Sequence, residues 1–200
     1  MVVFLDYQNV YKGARETFGL LDDPGVYGQI SPYQLGQAIV RRRQEPSYLA
    51  SVHVYRGRPD SARDSKGYAA NMRQCAAMKN KGHGLVHVVT RTLRYPPDGK
   101  PQEKGIDVAL AVDFVTMAVM KQFDVGVLMS TDTDLIPALE AVIALDGNPH
   151  PCCEVAAWST PDRHNRRLHV KGSSVYCHYI GPGEFDLVAD TTDYTRPRGE

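Results

Sequence analysis

Between Val2 and Trp158 the chain alternates short apolar, β-rich runs with stretches that suit helices, and this alternation limits it to an α/β fold. Val2-Val-Phe-Leu5 reads as a buried strand ending at Asp6, followed by a helix over residues 7–18 that Gly19 can terminate. After a Gly/Pro/Asp-rich loop, Ser31-Pro32 supplies an N-cap and a first-turn proline for a second helix. Ser51 to Tyr55 reads as strand, Asp64 to Lys81 as helix closed by Gly82, and Leu85 to Val89 as strand. Residues 91–103 carry three prolines and a glycine, so they read as loop. Ile106 to Met120 is apolar on most sides and is expected to be a largely buried helix. Val125 to Met129, a helix from Leu135 to Leu145 ended by Gly147, and a strand from Glu154 to Trp158 complete the alternation, with Val175 to Tyr179 as a further strand. Such an order calls for a mostly parallel sheet of five or six strands covered on both faces. We expect a single domain over residues 1–190 and a polar, flexible tail over 191–200.

Bulk properties narrow the function. Two hundred residues, 42% of them hydrophobic, make one domain with a sizeable core. Lys plus Arg balance Asp plus Glu at 23 each, so no whole-molecule basic field exists and any nucleic-acid contact must be local. The four cysteines, Cys75, Cys152, Cys153 and Cys177, form no C-x-x-C pair, which argues against a zinc site and suits a reducing compartment. The N-terminal segment lacks a basic n-region, and no apolar run approaches the roughly 20 residues that cross a bilayer. A cytoplasmic location is the expectation.

Acids fall where an open parallel sheet binds its ligands, beyond the carboxyl ends of its strands. Asp6 closes the first strand, with Asn9 one turn on; Ser130-Thr-Asp132-Thr-Asp134 closes the fourth; Asp107 begins the helix leading into that fourth strand. Carboxylates gathered at one point repel unless a cation joins them. Oxygen ligands favour a hard ion, Mg²⁺ or Mn²⁺. Each acid also has a plainer use. Asp6 can cap the next helix, Asp134 can cap the helix that contains Pro137, and Asp107 suits the positive end of a helix dipole. Asp132 is harder to assign to a cap, because a helix needs only one. Asp113, six residues from Asp107, lies on another helix face and reads as a structural acid bonded inside the fold. Asn9 and Ser130 can brace their loops or orient a carboxylate.

Three segments together resemble a known family. Phe4-Leu-Asp6-Tyr-Gln-Asn9, Lys104-Gly-Ile-Asp107-Val-Ala-Leu-Ala-Val-Asp113 and Ser130-Thr-Asp132-Thr-Asp134-Leu-Ile-Pro137 are similar, in order and spacing, to the motifs of NYN domains, the LabA-like branch of the PIN-like nuclease superfamily. The resemblance spans about residues 1–160 and implies a three-layer α/β/α, Rossmann-like fold and a Mg²⁺- or Mn²⁺-dependent endoribonuclease. It implies Asp6, Asp107, Asp132 and Asp134 as metal-binding acids, supported by Asn9 and Ser130, with Asp113 at a position often acidic but of unassigned role. The stretch after residue 160 matches no motif.

A phosphodiester substrate needs cations near the acids. Arg56 and Arg58 follow the second strand as read, Arg91 and Arg94 follow the third with Tyr95 nearby, and Lys104 precedes Asp107 by one turn; these are the candidate RNA contacts, with the basic stretch Arg163 to Lys171 beside them. Runs of charge are also ordinary solvated surface, and Arg41-Arg-Arg43 is read as surface at a helix end. No pair of the seven histidines has metal-ligand spacing, and Trp158 reads as core. The competing reading is a non-catalytic RNA-binding or partner-docking module of the same fold, with a homodimer or a regulatory protein partner left open. A sugar transferase or a phosphatase ranks below both. The phosphatase pattern would place D-x-D-x-T after the first strand, where this chain has Asp6-Tyr-Gln-Asn9.

Overall fold

Six strands, all parallel, form one sheet in the order β3-β2-β1-β4-β5-β6 in a computed structural model of the chain, which describes residues 1–97, 100–145, 152–162 and 166–196. The strands are β1 (Val2–Asp6), β2 (Ser51–Arg58), β3 (Val86–Thr92), β4 (Val125–Met129), β5 (Cys152–Trp158) and β6 (Cys177–Ile180). The helices are α1 (Tyr7–Thr17), α2 (Pro32–Arg42), α3 (Ser65–Asn80), α4 (Ile106–Val119), α5 (Ile136–Ile143) and α6 (Pro182–Val188), with a 3₁₀ turn over Thr133–Leu135 before α5. This is the expected helix-covered parallel α/β sheet. The chain order reverses between β1 and β4, and that switch point is where such sheets open a crevice.

Alternation along β1 sorts the core into two layers. Val3 and Leu5 pack with Val10 of α1, Leu35 and Ile39 of α2, Met78 of α3 and Phe185 of α6. Val2 and Phe4 point to the other face, against Leu110 and Phe114 of α4 and Leu139 of α5. Phe4 meets Phe114 edge-on, ring centroids 5.0 Å apart, a geometry worth about 0.5–1.5 kcal/mol beyond area burial. That contact sets α4 against β1 and so fixes where Asp107 emerges. Caps agree with the sequence at α2, where Gln34 N–H donates to Ser31 Oγ at 3.4 Å behind the first-turn Pro32.

Several local expectations change. β2 runs three residues past Tyr55, to Arg58, because it stays paired to β3 through Gly57↔Arg91 and Arg58↔Thr92. α4 is buried on one side only: Val108, Val112 and Val119 are 64%, 55% and 58% exposed, since it lies in an outer layer. Its apolar character all round was a poor guide to depth. α6 went unseen because seven residues give too little periodicity to read. Residues 191–196, expected as part of a flexible tail, make definite bonds here: Arg73 Nε donates to Tyr194 O (2.7 Å), and Tyr194 is 9% exposed. Gly147 and the Arg163-His-Asn portion of the basic stretch lie outside the described residues. Among the described residues no helix is long and apolar enough to cross a membrane.

Candidate active site

Strand register brings the first and third acidic segments together. Val2↔Gly126 through Leu5↔Met129 are paired neighbours, so the next residues, Asp6 and Ser130, leave the sheet side by side. Ser130 Oγ donates to Asp6 Oδ2 at 2.8 Å and accepts from Asp132 N–H at 3.0 Å, linking two segments 124 residues apart through one hydroxyl. Asn9 donates to the same carboxylate twice, from its backbone N–H (3.3 Å) and from Nδ2 (2.5 Å), and its Oδ1 accepts from Thr131 Oγ1 at 2.8 Å. Asp6 therefore caps α1 and also belongs to the shared rim. It is only 2% exposed, and burial first of all raises its pKa; the Ser130 and Asn9 hydrogen bonds offset part of that, and the charge of Asp132 adds to it.

Asp107 reaches this rim from the first turn of α4, which begins after Gly105 in the left-handed conformation (φ 75°), a backbone that residues with a Cβ rarely adopt. Its pKa is pushed up to about 6, by burial first and then by the negative charges of Asp6, Asp132 and Glu103. Those causes place four acids within one electrostatic neighbourhood. None of the four forms an ion pair with Lys or Arg among the described residues. Asp132 Oδ1 caps the 3₁₀ turn by accepting from Asp134 N–H (3.0 Å), so the cap falls on Asp132 and not on Asp134. Asp134 is exposed, two residues beyond Asp132. Asp113 lies elsewhere, one side of α4 round, where Tyr55 Oη donates to its Oδ2 at 2.8 Å.

Glu103 was not foreseen. It was read as loop, although it directly precedes the Lys104-Gly-Ile-Asp107 motif, and that adjacency is the only signal the sequence offers. Its carboxylate turns inward and accepts from Gly57 N–H at 2.6 Å. A Cβ on Gly57 would sit 2.6 Å from that oxygen and 2.4 Å from Leu93 Cδ2, so a larger residue there would displace the ends of both side chains. Lys12 of α1 was also missed; its charge is felt by Glu103, as is that of Arg56.

The cations foreseen from sequence divide. Arg56 and Arg58 continue the Val52 and Val54 side of β2, the face of α1 and α3, because β2 stays a strand to its end. Arg56 lies over the Tyr7 ring (4.6 Å) and donates to Gln74 Oε1 (2.7 Å); Arg58 donates to Thr92 Oγ1 (3.2 Å). Arg91 is exposed beside Gly105, at the start of α4. Arg94 pairs through its backbone with Gln102, and Lys104 is exposed.

Chemically the rim offers carboxylate oxygens and neutral donors, with no sulfur or imidazole. That set suits a hard divalent cation, and the unrelieved repulsion on Asp107 is a specific reason for a cation to be favoured there. As the side chains stand, no three His, Cys, Asp or Glu groups among the described residues are arranged to hold an ion.

The raised pKa gives a stability prediction. A carboxyl whose pKa is higher folded than unfolded destabilises the metal-free fold once ionised, so this penalty sets in as pH rises from about 4 to about 6. Metal-free Asp107→Asn protein should therefore gain melting temperature relative to the parent as pH rises from 4 to 7, and millimolar Mn²⁺ should raise the parent's melting temperature at pH 7 but not at pH 4. A difference between the two proteins that does not vary with pH would show that Asp107 titrates normally.

A family model described as NYN domain matches residues 1–146, which include every acid of this rim. Neither a curated protein nor a solved structure matches the chain.

Proposed function

Because the chain belongs to the NYN domain family, within the PIN-like nuclease superfamily, we propose that it is an endoribonuclease that hydrolyses RNA phosphodiester bonds with the help of Mg²⁺ or Mn²⁺. The observation that carries this is the Asp6–Ser130–Asp132 linkage at the β1/β4 switch point, with Asp107 repelled by the same charges. Asp6, Asp107 and Asp132 would hold the ion, with Asp134 as an outer ligand. A divalent ion in such a site activates water and offsets charge on the phosphate.

The remaining residues have definite tasks. Asn9 and Ser130 fix the Asp6 carboxylate so that it cannot swing away, and the capped turn at Asp132 holds the third segment in register. Glu103, anchored on Gly57 N–H, would orient a water or accept its proton. Arg91 and Lys104, exposed near the start of α4, and Lys12 on α1 are the cations best placed for phosphate contact. Arg56 and Arg58, packed onto Tyr7, Gln74 and Thr92, act mainly as scaffold.

Incubation of purified protein with labelled single-stranded RNA and Mn²⁺, with and without EDTA, tests the proposal directly. Cleavage that EDTA abolishes, together with heat of Mn²⁺ binding in calorimetry, is the expected result. Saturable RNA binding indifferent to EDTA, with no heat and no cleavage, would instead identify an RNA-binding module.

A further inference from the structure

Beside the acids a cavity of about 380 Å³ opens between α1 and the carboxyl ends of β4 and β5. Its wall on α1 is built by Asn9, Lys12, Gly13 and Glu16, residues that recur at helical spacing on one face. Small residues, Gly13 with Ala156 and Ala157 of β5, leave its interior open, while Ser130 and Thr131 form the edge shared with Asp6. Trp158 closes one side: its Nε1 is held by Val10 O at 2.8 Å, and its Cδ1 would lie 3.2 Å from a Cβ at Gly13. Lys12 is exposed at this wall, and its charge, like that of Arg56, is felt by Glu103. Arg166 adds a second cation to the lining.

A volume of this order is at the small end of ligand pockets and suits one nucleotide, far too little for a duplex. The lining sets apolar surface from Val10, Ala156 and Trp158 beside Lys12 and Arg166, with one acid, Glu16, a combination that can take a flat base and its phosphate. We propose that this cavity seats a single unpaired ribonucleotide of the substrate, its phosphate on Lys12, at the step next to the acid rim. The identity of the polymer rests on the nuclease reading above. The fold then selects single-stranded over paired RNA by shape, without reading a groove.

Trp158 is the chain's one tryptophan, so its fluorescence reports occupancy of the cavity without any cleavage. The titration uses full-length protein in EDTA, with adenosine and uridine 5′-monophosphates, a short single-stranded RNA and a fully paired RNA duplex as probes. Saturable quenching by the mononucleotides and the single strand, but not by the duplex, is expected. Lys12→Ala, an exposed substitution, should weaken binding about tenfold, the loss of one charge-assisted contact. Gly13→Leu should abolish the quenching while circular dichroism stays unchanged. Absence of quenching from a protein that still cleaves RNA with Mn²⁺ would overturn the subsite and leave the nuclease reading intact. Quenching sensitive to Lys12 in a protein that cleaves nothing would uphold the subsite and sink the nuclease reading instead. Equal quenching by the duplex, or a Lys12→Ala protein that binds like the parent, would also overturn it.

Discussion

Asp132→Asn protein should keep its fold and lose RNA cleavage by on the order of 100-fold or more in saturating substrate. Substitutions that only orient a metal ligand cost about 10–100-fold in affinity or activity, and a direct ligand should cost at least as much. The fold should survive because asparagine retains the oxygen that accepts from Asp134 N–H and is as good a helix cap as aspartate. What disappears is the charge felt by both Asp6 and Asp107. Metal-free stability at pH 7 should therefore be unchanged or slightly raised, while the heat of Mn²⁺ binding falls. Asp134→Asn, at an exposed residue, should have the smaller effect of the two. Cleavage at the parental rate by the Asp132 variant would remove the proposed centre altogether.

The largest stability effect is expected far from the acids, at Glu154 on β5. This carboxylate is 7% exposed, accepts from Arg43 just beyond α2, and shares a 2.6 Å hydrogen bond with His178 Nε2 on β6. Burial by itself would raise its pKa, but the His178 hydrogen bond and the Arg43 charge together carry it below the ordinary range. Replacing Glu154 with alanine removes the shared acceptor of Arg43, left with Ser47 Oγ as its partner, and of His178, side chains that are 11% and 0% exposed. Breaking a buried pair from one side costs about 3–5 kcal/mol, which should appear as a lower urea midpoint at pH 7. A group with a lowered folded pKa contributes stability above its unfolded pKa and loses it as pH falls through the folded one. The deficit of Glu154→Ala should accordingly shrink below about pH 4. A deficit under about 1 kcal/mol at pH 7 would mean that Arg43 and His178 find other partners or water.

Arg43 also illustrates a limit of reading charge in one dimension. Arg41-Arg-Arg43 looks like surface at a helix end, yet Arg43 is drawn into this buried network and Arg42 pairs with Glu184 of α6. Neither acid is near them in the chain, so no local rule could have chosen between solvent and partner. The direction in which Arg56 points was hidden from the sequence in a related way. Three extra paired residues in β2 kept it in a strand, and strand parity then turned it toward Tyr7. An error of a few residues in a strand's end is small for topology and decisive for where a side chain points.

The sequence by itself determined the layered α/β architecture, the strands that end at Asp6 and at Met129, and the family, because apolar periodicity and caps are written within a few residues of where they act. Tertiary structure alone decided that Ser130 bridges Asp6 to Asp132, that Glu103 and Lys12 join the rim, and that a nucleotide-sized space lies beside it. Those outcomes depend on the register between β1 and β4 and on the packing of α4 and α1 against them. Register and packing exist only once distant segments meet, and electrostatic coupling depends on the distances that this meeting sets.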